Sequence, residues 1–318
     1  MRLGELLARE GNLTESERHL SLAASAAPND PRSLEELVAI TFASGKAQKA
    51  KILAQQGIMR FPLSSLLQEE LGESDLKQLA NDSTRVLNLA AQYMRLGLYK
   101  RALDVLAREY PPAQTDQSEP GELSPGSHPL IAYFRGYCRE RLGQSATADY
   151  KLASQLSTSY VFPSTAEELT VLSAALRSNP EDASAHYLLG TLYFSRGLTE
   201  SAFTEWSRAR ESNPNIPVLN ASLGLALLHE KRDPERAISA FRDGLRSDPA
   251  NIAIYLGADQ ALSLLARPAR ERTEVLEKYP DLANAPSSLI FELILNLSEA
   301  EDFQRAEGLF HNRFFPRE

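Results

Sequence analysis

Five histidines (His19, His128, His186, His229 and His311), the single cysteine Cys138 and several adjacent acid pairs have the widest chemical reach in this chain. The histidines are scattered, and neither an HExxH pattern nor a cysteine-histidine cluster at metal-ligand spacing occurs. The pairs Glu35-Glu36, Glu69-Glu70 and Glu167-Glu168 are sequence neighbours. On helices their carboxylates point about 100° apart rather than converging on one substrate, so solvated helix faces account for them. A glycine-rich phosphate loop and a G-x-S-x-G elbow are both missing. Cys138, two residues after Gly136 on an expected helix, reads as a packed thiol rather than a nucleophile. These residue types predict no catalytic centre, no cofactor and no metal.

Composition narrows the partners. With 34 basic against 42 acidic residues and a net charge of −8, the chain lacks the basic footprint that phosphate-backbone binding needs, so nucleic acid is not an expected partner. Mean hydropathy is −0.31 and no apolar run approaches the ~18 residues of a membrane span. One cysteine makes no intrachain disulfide, and the charged opening stretch is unlike a signal peptide, so the chain as written reads as cytoplasmic.

The elements that would carry any site emerge from an internal repeat. Pro28 and Pro62, and again Pro180 and Pro214, lie 34 residues apart, and Pro249, Pro280 and Pro316 continue at similar intervals. The clearest unit spans residues 183–216. Leu189 and Tyr193 share one helical face; Ala202, Trp206 and Ala209 form the i, i+4, i+7 stripe of a second helix. Gly190 and Ala202 are small where the two helices meet, Trp206 fills the space around them, Gly197 interrupts the pattern and Pro214 ends the second helix. Such a hairpin cannot bury its apolar faces alone, so neighbours must stack. The template recurs at Leu223-Gly224 with Phe241, at Ala90 and Tyr93 with Gly97, at Gly136 with Gly143, and at Ala54 and Gly57, and more weakly over residues 252–280 and 287–316. Gly4, Leu7, Gly11, Leu20 and Ala23 fit it too, which is expected to place Met1 about five positions into a repeat, either one whose first turn is missing or one with a naturally short first helix. A helix-like stretch over 66–80 and a helix opening on a Ser164-Thr165-Ala166-Glu167 capping box interrupt the array.

These residues resemble the tetratricopeptide repeat (TPR). The resemblance implies an all-α, right-handed α-solenoid of about eight TPR-like helical hairpins. The expected division is N-terminal repeats over 1–110, a Pro-rich loop over 111–127 and C-terminal repeats over 128–318, all in one continuous solenoid. In such arrays the first helix of each hairpin lines a concave groove. Its positions in register here are Tyr133, Tyr137 and Arg141, then Tyr187, Thr191 and Phe194, then Leu225 and His229. Aromatics beside an arginine are enriched in binding patches, although Tyr133 and Phe194 could equally pack against adjacent hairpins. Some family members clamp a terminal carboxylate with lysine and asparagine, but the matched positions here carry Tyr187, Thr191, Ala221 and Leu225. An apolar helix or extended segment of a protein or peptide partner is therefore the expected ligand.

The stretch Tyr160-Val161-Phe162-Pro163-Ser164, with His128-Pro129, Tyr279-Pro280-Asp281-Leu282 and the terminal Arg313-Phe314-Phe315-Pro316-Arg317-Glu318, is similar to the repeat region of large bacterial proteins in which a β-sandwich domain of unknown function, shaped like carbohydrate-active domains, precedes the repeats. Two functional expectations follow. The first is a non-catalytic scaffold for a partner segment, intramolecular partners included; the second is an accessory repeat region that docks or shapes that β-sandwich. The closing aromatics are expected to fold back or to be followed by further sequence, since a solenoid end needs a polar cap.

Overall fold

A computed structural model of the chain describes residues 1–111, 123–216 and 218–310. Most of the expected Pro-rich loop, and the terminal aromatics Phe314 and Phe315, lie outside these residues. The chain separates into two compact units, Met1–Val161 with Thr165–Ser178, and Phe162–Ser164 with Asn179–Glu318.

In the first unit, α1 (Arg2–Arg9) pairs with α2 (Leu13–Ala26) and α3 (Pro31–Ala43) with α4 (Ala47–Ile58). Two short helices follow, α5 (Ser65–Leu71) and α6 (Leu76–Ala80), where the sequence suggested one helical region; Gly72 in the left-handed conformation ends the first of them. Then α7 (Ser83–Arg95) pairs with α8 (Tyr99–Leu106) and α9 (Pro129–Arg141) with α10 (Thr147–Gln155), and α11 (Ala166–Ser178) packs on α9. In the second unit, α12 (Ala183–Ser195) pairs with α13 (Thr199–Ser212), α14 (Leu219–His229) with α15 (Pro234–Ser247), α16 (Ile252–Leu264) with α17 (Ala269–Leu276), and α18 (Ser287–Glu299) with α19 (Phe303–Phe310). Among the described residues there is no strand, and no helix is long and apolar enough to cross a membrane.

The hairpins close by one packing rule. A small residue on the first helix receives a large side chain from the second, so the backbones approach closely. A Cβ at Gly190 would lie 2.5 Å from Cδ1 of Trp206, and one at Gly136 would lie 2.6 Å from the Tyr150 ring. The Phe241 ring of α15 is held between Gly224 of α14 and Gly257 of α16, and neither position has room for a Cβ. Ala202, Phe241 and Leu289 are fully buried, as repeats that share a core with their neighbours require.

The turns between paired helices need one residue at positive φ. Gly11, Gly45, Gly97, Gly143 and Gly197 supply it at φ of 71° to 81°. The last three hairpins place Arg232 (51°), Ala266 (52°) and Glu301 (62°) there instead. An L-residue in that region costs about 1–2 kcal/mol, while glycine adds about 0.4–1 kcal/mol of unfolded-state entropy. Ala266→Gly is therefore expected to stabilise the protein by roughly 0.5–1 kcal/mol, read as a rise in the urea midpoint; a fall would mean that the turn is unstrained.

Two sequence expectations are corrected here. The capping box opening α11 lies one residue later than expected: Thr165 N–H donates to Glu168 (2.6 Å) and Glu168 N–H donates to Oγ1 of Thr165 (3.2 Å). The acid pairs are not solvated. Glu35, Glu36, Glu70 and Glu168 are all buried, because stacking of the next hairpin covers helix faces that a single amphipathic helix would leave wet. Most have partners. Ser64 donates to Glu35 at 2.5 Å, Tyr93 donates its hydroxyl to Glu70 at 2.6 Å, and Arg101 lies 2.9 Å from the other Glu70 oxygen. Arg108 pairs with Glu69 and Arg95 with Glu167.

Candidate functional site

The eight groove positions divide between the two units. Tyr133, Tyr137 and Arg141 project from α9 in the first. Tyr133 is fully buried, its ring 6.4 Å from that of Tyr150, so it belongs to the core and offers no binding surface. Tyr137 is 9 % exposed and meets Tyr99 edge-on at 6.0 Å, while the Arg141 guanidinium lies 5.1 Å from the centroid of the same Tyr99 ring. Tyr99, at the start of α8, was not among the predicted residues; it engages both of them, and the cation–aromatic contact holds Arg141 against the surface. Cys138, on the same helix, is buried and burial pushes its thiol up to about 12, the character of a packed thiol rather than an activated one.

The other five residues come together in the second unit. Tyr187, Thr191 and Phe194 from α12 and Leu225 and His229 from α14 line one open cavity of about 560 Å³. The α-helical period puts positions 187, 191 and 194 on one face, and the pairing of hairpins sets the matching face of α14 beside it. Trp206 forms part of the cavity wall. Its indole N–H donates to the Tyr187 carbonyl at 3.2 Å, and its ring lies 5.2 Å from that of Phe194. Tyr187 is 3 % exposed, so it contributes wall rather than reach; burial raises its phenol above the ordinary range, with Ser222 and Thr191 as hydrogen-bond partners. Phe194, 38 % exposed, presents its ring to solvent.

The cavity also has members that sequence reasoning missed. Phe162, Pro163 and Ser164 form one rim, and the Ser164 carbonyl is held there by the Arg196 guanidinium. Phe162 is 72 % exposed, a large apolar cost left open to water. Val218, Ser222 and Glu230 complete the other side. Val218 sits at φ 69°, an unusual conformation for a β-branched residue, at the start of α14. Phe162, Pro163 and Ser164 belong to a stretch that stood out in the sequence but not as part of a site, since a helix of thirteen residues separates Ser164 from the repeat it completes; nothing in the local sequence marks Val218, Ser222 or Glu230.

The lining is aliphatic and aromatic with few polar groups, the character of a surface that takes up apolar side chains. The titratable side chains in it are Tyr187, which is buried wall, and His229 and Glu230, exposed neighbours at the end of α14. A buried pair in this unit, Nδ1 of His186 2.5 Å from Glu205, lies outside the cavity and joins α12 to α13, and the other ring nitrogen is 2.9 Å from the Pro180 carbonyl in the preceding turn. Among the described residues no three His, Cys, Asp or Glu side chains gather as a metal site.

Residues 169–217 match the tetratricopeptide repeat family, a span that covers the α12–α13 hairpin and one wall of the cavity. Solved structures with similar folds include "MamA AMB-1", 17% identical over 66% of this chain and 98% of its own, TM-score 0.35. A second is described as "Functional Characterization of Pseudomonas Aeruginosa pilF", 16% identical over 74% and 90%, TM-score 0.40. A third is YrrB, "a TPR protein with an unusual peptide-binding site", 15% identical over 76% and 97%, TM-score 0.29. No curated protein matches the chain in sequence.

Proposed function

We propose that this TPR-containing chain is a non-catalytic protein-interaction scaffold whose second unit holds a helix or extended segment of a partner in the cavity between α12 and α14. The observation that carries this reading is the convergence of five of the groove positions, Tyr187, Thr191, Phe194, Leu225 and His229, on one apolar concavity that also leaves Phe162 and Phe194 wet. Apolar concave surfaces with exposed rings gain by desolvation when a side chain enters, and a rim of short polar groups then sets its orientation. The Phe162–Ser164 rim belongs to the stretch that resembles repeat regions following a β-sandwich, which makes a domain of the same polypeptide one source of the segment.

A photocrosslinking amino acid placed at Thr191, inside the cavity, is compared with one at Thr204 on the outer helix α13, in cells and after purification. Crosslinking to a discrete partner from position 191 and not from 204 is the expected result. Equal crosslinking from both, or none from 191, removes the reading.

A further inference from the structure

We infer that the segment taken up by this groove is cationic: an apolar stretch of a protein partner that carries lysine or arginine where it passes the α14 end of the cavity. This deepens the proposed function and rests on it. The charges of the second unit are sorted by element. The first helices of its four hairpins, α12, α14, α16 and α18, contain no lysine and no arginine. Their only charged residues are acids: Asp259, Glu292 and Glu299. Among the described residues, the basic ones of the unit lie on the second helices and the turns.

Two of those acids are already occupied. Asp259 is buried and accepts from Arg272 and Asn296, and Glu299 pairs with Arg272 at 2.9 Å. Glu292 is half-buried, and burial, with Asp259 adding to it and Arg272 opposing, raises its carboxyl above the usual range. In the cavity itself Glu230 is the one carboxylate among the lining residues, and no lysine or arginine lines it. Of the basic residues close in sequence to the lining, Arg196 donates its guanidinium N–H to the Ser164 carbonyl at the opposite rim, Lys231 pairs with Glu200 while lying 5.0 Å from the centroid of the Phe203 ring, and Arg232 is exposed in the turn that follows, outside the lining.

Backbone electrostatics add to the side chain. Glu230 caps the C-terminus of α14, where the last carbonyls of the helix concentrate partial negative charge, and lines the cavity at that end, while Val218 lines it at the N-terminal end of the same helix. An incoming ammonium or guanidinium meets a carboxylate and a helix C-terminus together, whereas a carboxylate would face both as repulsion. Leu264 of α16 and Leu295 of α18 are also exposed, at 62 % and 46 %, on helices that carry no basic residue. An apolar face flanked by positive charge is the complement of that surface.

The test uses two synthetic amphipathic peptides of about 18 residues with the same leucine face, one flanked by lysines and one by glutamates, and measures binding to the whole chain by fluorescence anisotropy at two salt concentrations. The lysine peptide is expected to bind at least about 10-fold tighter, a difference near 1.4 kcal/mol. Glu230→Gln should narrow that ratio and Glu230→Lys should invert it, while Glu211→Gln, an acid on the outer face of α13, leaves it unchanged. Leu225→Asp, with Phe194→Ala as the milder variant and far-UV circular dichroism as the check on folding, should weaken both peptides. Equal affinity for the two peptides, both weakened by the groove variants, overturns the charge inference and leaves the groove standing. A lysine preference that Glu211→Gln reduces as much as Glu230→Gln also overturns it, since the preference would then follow net charge. Binding that ignores Leu225→Asp and Phe194→Ala, or no binding of either peptide, overturns the groove itself.

Discussion

Trp206→Ala is expected to lower stability by roughly 3–5 kcal/mol, the range for removing a large aromatic side chain from a close-packed site. Trp206 is 2 % exposed and fills the space left by Gly190, with the rings of Phe194 and Phe203 at 5.2 Å and 6.3 Å. Its loss opens a void between α12 and α13, leaves the Tyr187 carbonyl without the indole N–H that bonds to it, and takes away part of the cavity wall. Stability and groove binding should therefore fall together. The measurement is a urea transition followed by far-UV circular dichroism, because the substitution deletes the one tryptophan in the chain. A loss below about 1 kcal/mol would show that Gly190 and Trp206 do not form the hairpin's packing pair.

The second large effect concerns pH. Glu36 of α3 is 5 % exposed, and its carboxyl is pushed up to about 7 by burial and by the carboxylate of Glu5 on α1, with which it shares a hydrogen bond; Arg95 on α7 and the chain N-terminus pull the other way. One of its oxygens is buried without a hydrogen-bond partner. A carboxyl that binds its proton more tightly folded than unfolded stabilises the fold while protonated. The first unit is therefore expected to be most stable near pH 4.5, as far as this group is concerned, and to lose stability as pH rises to 7, by on the order of 3 kcal/mol. Glu36→Gln keeps the shape and removes the charge. It should match the wild type near pH 4.5 and exceed it at pH 8, read as urea midpoints at the two pH values. Equal midpoints at both would mean that Glu36 is solvated and free to ionise.

Both predictions start from residues visible in the chain, but only the first was legible there. The pairing of Gly190 with Trp206 follows from helical period and size alone, because both partners lie within one hairpin and a small residue must face a large one for two backbones to approach. The same local rule located Gly11, Gly97, Gly143 and Gly197 in their turns and Pro28, Pro62, Pro214 and Pro249 after their second helices. The burial of Glu36 was not legible, since adjacent acids on a helix look solvated until α1 and α7 are placed over them.

The candidate site divides along the same line. Local sequence determines the helices, their turns and the face each residue occupies, because backbone hydrogen bonding and a 3.6-residue period act over a few residues. Tyr133 and Tyr187 hold equivalent positions in their hairpins and are equally tyrosine, yet one is core against Tyr150 and the other walls a cavity. Only tertiary structure decides this, because coverage of a helix face depends on side chains supplied by distant segments. Phe162 and Ser164, carried to the rim from before α11, make the same point: the surface a partner would meet is assembled by long-range packing, which no local spacing encodes.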